Sequence, residues 1–141
     1  MESRAKAPIG AAWLATALAL LLVLGTGAGC SSLFGTDAHH FVIGVDSISV
    51  PDTIAPNSTL TARFFGGIGP NGCYQLDRVE RVRSAGVLEL RFHGTSTDGF
   101  CPQVPSYLDH VEEVLPPVED PFRIRVLQPD GPALEKVVRV R

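Results

Sequence analysis

Three cysteines, four histidines and one carboxylate-rich segment hold the side chains that could do chemistry in this 141-residue chain. His110 sits in Asp109-His110-Val111-Glu112-Glu113. An imidazole beside carboxylates can serve as a general base or a metal ligand. Neither role gains support here: no second ligand motif and no nucleophile motif accompanies it, so a surface histidine is expected. His93 faces the same objection. His39 and His40 are adjacent, and neighbours on an extended chain point to opposite faces, so they read as a solvated pair rather than as a chelate. Gly67-x-Gly69-x-x-Gly72 has the spacing of a dinucleotide fingerprint. That motif needs a helix N-terminus to hold pyrophosphate, whereas Pro70-Asn71-Gly72 makes a turn before a strand. Asn57-Ser58-Thr59 has the form of a glycosylation sequon and reads as a turn. The expectation is no catalytic residue, no cofactor and no metal. The cysteines Cys30, Cys73 and Cys101 make an odd number, which in an exported protein calls for an explanation.

Export is indicated by the N-terminus. Arg4 and Lys6 precede an uncharged run from Ile9 to Leu24 dominated by Ala, Leu and Val, and small residues follow up to Cys30. A basic start, an apolar helix and a small-residue end form a signal segment. The apolar run is short of the ~20 residues of a permanent span, although Gly25 to Gly29 bring it close. A cleaved signal and an uncleaved anchor both fit up to this point.

The tail Gly27-Ala28-Gly29-Cys30 resembles the lipobox of bacterial lipoproteins. Ala28 and Gly29 match its small residues; Gly27 stands where an aliphatic residue is usual. The resemblance implies cleavage before Cys30 and acylation of its thiol, with ordinary signal cleavage near Ala28 as the alternative. It implies a leader at residues 1–29, a lipidated tether at 30–40 and a domain at 41–141. Ser31, in place of Asp, implies an outer membrane facing the periplasm. Lipidation also consumes one thiol. Cys73 and Cys101 are then left to pair, as thiols do in an oxidising compartment.

The remaining residues must form the frame. Only about 110 follow the leader, enough for one domain. The whole chain has 12 Lys+Arg and 15 Asp+Glu. Loss of the leader makes the balance more acidic, so no basic patch suits nucleic acid. Short alternating segments recur with Gly and Pro between them. Leu60, Ala62 and Phe64 fall on one face, as do Leu88, Leu90 and Phe92, and Phe122, Ile124 and Val126. Phe41, Ile43 and Val45 share a face, but Ile48 and Val50 change parity, which predicts a bulge or a crossing between sheets. Cys73–Arg83 and Val87–Gly94 read as a hairpin around Ser84-Ala85-Gly86, with a bulge near Asp77. That register brings Cys73 opposite a residue near Ser96, with Cys101 a few residues further on, in agreement with the pairing. Gly66–Gly72 and Gly94–Ser106 read as loops. In Leu108–Leu115 the apolar residues fit a helix through Leu108, Val111 and Leu115, or a strand face through Tyr107, Val111 and Leu115; the flanking prolines favour the strand. About seven strands result, an antiparallel β-sandwich resembling immunoglobulin-like modules. The function expected is that of a lipid-anchored envelope protein that binds a partner or supports a complex without catalysis. An inhibitor or accessory module of an exported enzyme is the alternative, and a small hydrolase a more remote one.

Overall fold

The computed structural model describes residues 37–141. The leader, Cys30 and the start of the tether lie outside the described residues. The described chain forms nine strands and no helix: β1 (Ala38–Val42), β2 (Ser47–Ser49), β3 (Thr53–Ile54), β4 (Leu60–Gly69), β5 (Tyr74–Ser84), β6 (Val87–Thr97), β7 (Ser106–Val114), β8 (Phe122–Val126) and β9 (Leu134–Val140). The count exceeds the sequence expectation because β2 and β3, three and two residues long, form within the stretch read as broken strand and turn.

Strands β1, β3, β5, β6, β8 and β9 make a six-stranded sheet, and β2, β4 and β7 a three-stranded one. Two pairings, β6 with β8 and β3 with β9, are parallel rather than antiparallel. The chain between β6 and β8 passes through β7 in the other sheet, which supplies the long connection that a parallel pair requires. The hairpin of β5 and β6 turns at Ala85-Gly86, where Gly86 has φ +70°, a left-handed conformation that costs glycine little. Its register shifts between Leu76 and Arg78, so Asp77 is the bulged residue expected from the phase change.

Alternation places the core. Leu60, Ala62 and Phe64 of β4, Leu88, Leu90 and Phe92 of β6, and Phe122, Ile124 and Val126 of β8 are all buried in one cluster. Both sheets contribute, and the Phe64 and Phe92 rings meet across them with centroids 5.3 Å apart. Burying a side chain of this size stabilises by ~1.5–3 kcal/mol. The outer residues of β6, Glu89, Arg91 and His93, are only half-exposed, because strands flank β6 on both edges.

The parity change near Asp46 is a crossing between sheets. Ile43 N–H still donates to Phe92 O of β6 at 2.9 Å, while Asp46 N–H donates to Phe65 O of β4 at 2.8 Å. Between them Val45 is met by a side chain: its N–H donates to Gln128 Oε1 and its carbonyl accepts from Gln128 Nε2, both at 3.0 Å. The Gln128 amide thus replaces a strand where the backbone would otherwise be left unpaired. Gly66 makes this crossing possible. A Cβ there would lie 2.5 Å from the carbonyl oxygen of Gly44 and 3.3 Å from the Val45 Cα, both backbone. Gly66→Ala is therefore expected to cost about 2 kcal/mol, as overpacking against immovable atoms does. Denaturant unfolding of the variant and the parent checks this; an unchanged midpoint would contradict it.

Candidate functional site

β7 places its polar residues inside. It is a strand, as the flanking prolines suggested, but Tyr107, Val111 and Leu115 point to solvent, while Leu108, Glu112 and Val114 are buried and His110 is half-buried. Register explains the inversion. Leu108, His110, Glu112 and Val114 stand opposite Gly66, Phe64, Ala62 and Leu60, the inward residues of β4. Directly opposite residues share a face. Leu108 and Val114 lie six positions apart and fix the inward phase, so the two polar residues between them follow. The apolar outward set, with Tyr107 72% exposed, competes with that signal in the sequence.

His110 is accordingly not a surface histidine; its side chain is only 21% exposed. Its ring meets Phe92 edge-on at 5.4 Å and lies 6.4 Å from Phe64. Its Nε2 hydrogen-bonds Glu112 Oε2 at 3.2 Å. The other oxygen of Glu112 accepts from Arg81 Nε of β5 at 2.6 Å. Burial pushes the Glu112 carboxyl up, but the hydrogen bonds from Arg81 and His110, with the Coulombic pull of both, outweigh it and hold the group below its ordinary range. Nothing in the sequence marks Arg81 out from the other charges of β5, Asp77, Arg78, Glu80 and Arg83. Its partner lies 31 residues away on a different sheet, a distance over which spacing carries no signal.

The three side chains clip the free edge of β5 to the free edge of β7. A groove of about 290 Å³ opens beside them, lined by Arg81, Arg83, Leu88, Glu112, Glu113, Val114 and Leu115. Its second cation is also engaged: Arg83 donates to Leu115 O at 3.3 Å and to Pro117 O at 2.7 Å. Glu112 therefore has both oxygens occupied and is no free base. Among the described residues no group of three or more His, Cys, Asp or Glu is placed to hold a metal ion. His93 hydrogen-bonds Glu80 at 3.2 Å, and His39 and His40 lie near Asp98 and Asp77 at 3.5 and 3.9 Å.

The second assembly is at the end where β1 begins. Cys73 and Cys101 are disulfide-bonded, with their Cα atoms 5.3 Å apart. The hairpin register does bring them together: Tyr74 stands opposite Ser96, and Thr97 N–H donates to Cys73 O at 3.3 Å. With the cysteines 28 positions apart in sequence, the cross-link stabilises by ~3–4 kcal/mol in the chain-entropy account. Further bonds tie the β6–β7 loop down. Gly72 N–H donates to Pro102 O at 2.9 Å, and Gln103 Nε2 to Cys101 O at 3.1 Å. The loop read at Gly66–Gly72 is shorter than expected, because Gly66 to Gly69 belong to β4 and pair with β7. Strand β5 follows the Pro70–Cys73 turn directly, so the glycine spacing meets no helix N-terminus. Cys30 lies outside the described residues.

Compared with known protein families, curated proteins and solved structures, the chain matches none.

The Glu112 arrangement sets a pH dependence. The unfolded chain takes up the Glu112 proton at the ordinary 4.5 and the folded chain at a lower pH. The stabilisation is thus fully present above that value and is lost as pH falls through the folded pKa. Glu112→Gln is expected to cost about 1–2 kcal/mol at neutral pH and to flatten the acid limb of stability. Unfolding curves between pH 3 and 7 check this, and parallel acid limbs would contradict it.

Proposed function

We propose that this chain is a lipid-anchored cell-envelope protein whose immunoglobulin-like β-sandwich works by contact, not by catalysis. The observation that carries the reading is the cysteine arrangement. Two thiols are spent on each other, and the third follows an apolar leader and two small residues, where lipoproteins carry their acyl chains. One acyl chain holds a protein only reversibly, whereas two or three on one cysteine hold it durably. Ser31 favours the outer membrane, facing the periplasm. Support for a non-enzymatic role comes from the polar cluster, in which Arg81 and His110 occupy both oxygens of Glu112. A second reading, an accessory module for an exported enzyme, draws on the outer face of β7, where Tyr107 and Val111 stand exposed two positions either side of Asp109, the ion-pair partner of Arg63.

Intact-mass analysis of the full chain, expressed in a Gram-negative host and extracted from membranes, tests the anchor. The expected mass is that of the polypeptide from Cys30 plus a diacylglyceryl group and an amide-linked acyl chain, rising by two hydrogens on reduction. Cys30→Ser should keep its leader and carry no acyl mass. An unacylated, fully soluble parent would contradict the reading.

A further inference from the structure

The end of the domain that holds the disulfide is chemically unlike the rest. Phe100 is fully exposed in the Asp98–Pro105 loop, and Val104, four residues further on, is 66% exposed. Tyr107, the second residue of β7, is exposed at the same end. The Pro70–Cys73 turn is adjacent, since Gly72 bonds Pro102. Across Ile68–Tyr74 and Thr97–Tyr107 there is one charged side chain, Asp98, with His39 3.5 Å from it, and exposed Asp37 precedes Ala38 at the same end. Asp77, Arg78, Glu80, Arg81 and Arg83, by contrast, are carried further along β5. Single exposed apolar residues are ordinary on a protein surface. A charge-poor end with Phe, Val and Tyr outward is not, and aromatic residues of this kind gather where one side of a protein meets lipid headgroups.

The chain's own path says what lies there. Ala38, the first residue of β1, pairs with Thr97, immediately before the loop. Cys30 is eight residues earlier, no more than ~28 Å away even if that stretch were fully extended. The tether therefore leaves the domain from the end that displays Phe100. The opposite end, with the Ala85-Gly86 turn, lies the length of β5 away, ~33 Å for its 11 residues. The disulfide and the Gly72–Pro102 bond fix the loop against that end, so its apolar residues are presented without first being ordered.

We infer that this end rests on the phospholipid bilayer that holds Cys30, with Phe100 inserted among the headgroups, an inference that rests on the lipidated reading of Cys30. The acyl chains supply attachment and the loop supplies orientation, turning the β5–β6 turn and the C-terminus away from the membrane.

The test uses the full chain purified from membranes in a Trp13→Phe background, so that Phe100→Trp or Val104→Trp is the sole indole. Each variant is reconstituted into phosphatidylethanolamine–phosphatidylglycerol vesicles with or without brominated acyl chains, and Ala85→Trp reports the opposite end. The expected result is a blue-shifted indole at 100 that loses roughly half or more of its emission to bromine, as for a ring seated at the interface, while the indole at 85 loses none. If the protein is acylated by mass and floats with the vesicles, but neither loop indole is quenched, the inference is overturned and the anchor stands. If the protein is unacylated and a loop indole is still quenched, the loop contact stands without the anchor. If it is unacylated and unquenched, both fall.

Discussion

Strand β6 is hydrogen-bonded along both edges for its whole length, and the rest of the fold follows from how that is achieved. One edge is filled by β5 through the hairpin. The other is shared by two segments from opposite ends of the chain: β8 covers Val87 to Leu90, and β1 covers His93 to Thr97. They meet at the middle of β6, where Leu127 donates to Leu90 O and Ile43 to Phe92 O, both at 2.9 Å. Neither segment can continue past the other. The chain after β1 must therefore leave the sheet, and it does so between Ile43 and Asp46. The Gln128 amide, two residues past β8, bonds the departing Val45. A single competition for one strand edge thus accounts for the crossing, the parallel pairing of β8 and the close approach that requires Gly66.

The same competition fixes the ends. Because β1 takes the far half of β6, the chain enters the domain beside Thr97 and the disulfide-tied loop. Because β8 and β9 take the near half, the C-terminus lies with the β5–β6 turn. The second sheet is narrower, so β7 and β5 are left as facing edges. Unpaired edges invite association with other strands, and a charged clip is one way to close them. Arg81, Glu112 and His110 perform that closure, a structural use of residues that in sequence suggest acid–base chemistry. A buried carboxylate with both oxygens engaged stabilises a geometry; it does not offer a proton acceptor.

Much of this was legible in the residues. The alternation in Leu60–Phe64, Leu88–Phe92 and Phe122–Val126 gave the all-β class and most of the core, because burial on one face leaves a period of two. The bulge at Asp77 and the Cys73–Cys101 pairing followed from register in a local hairpin, where sequence distance and spatial distance agree. The crossing at Asp46 left its mark as a change of parity, but parity alone does not separate a bulge from a change of sheet. Three features were hidden. The parallel pairing of β6 and β8 depends on which strand wins an edge, a non-local outcome. The inward turn of His110 and Glu112 depends on the register with β4, which the apolar Tyr107, Val111 and Leu115 obscure. The glycine run at Gly66–Gly69 reads as a loop by composition, whereas close backbone approach is what Gly66 serves.

With the proposed lipid anchor on Cys30, the frame turns the charge-poor, disulfide-tied end of the domain toward lipid. Hydrogen–deuterium exchange of the processed full chain, free in detergent and bound to vesicles, tests it most directly. The account predicts that β6 amides from Leu88 to Gly94 exchange slowest in both states. It also predicts that vesicle binding slows exchange at Gly72–Cys73 and Asp98–Val104 and leaves Ala85-Gly86 and Leu115–Asp120 unchanged. Slowing at the β5–β6 turn in place of the loop, or β6 amides that exchange as fast as those of the β7 edge, would contradict it.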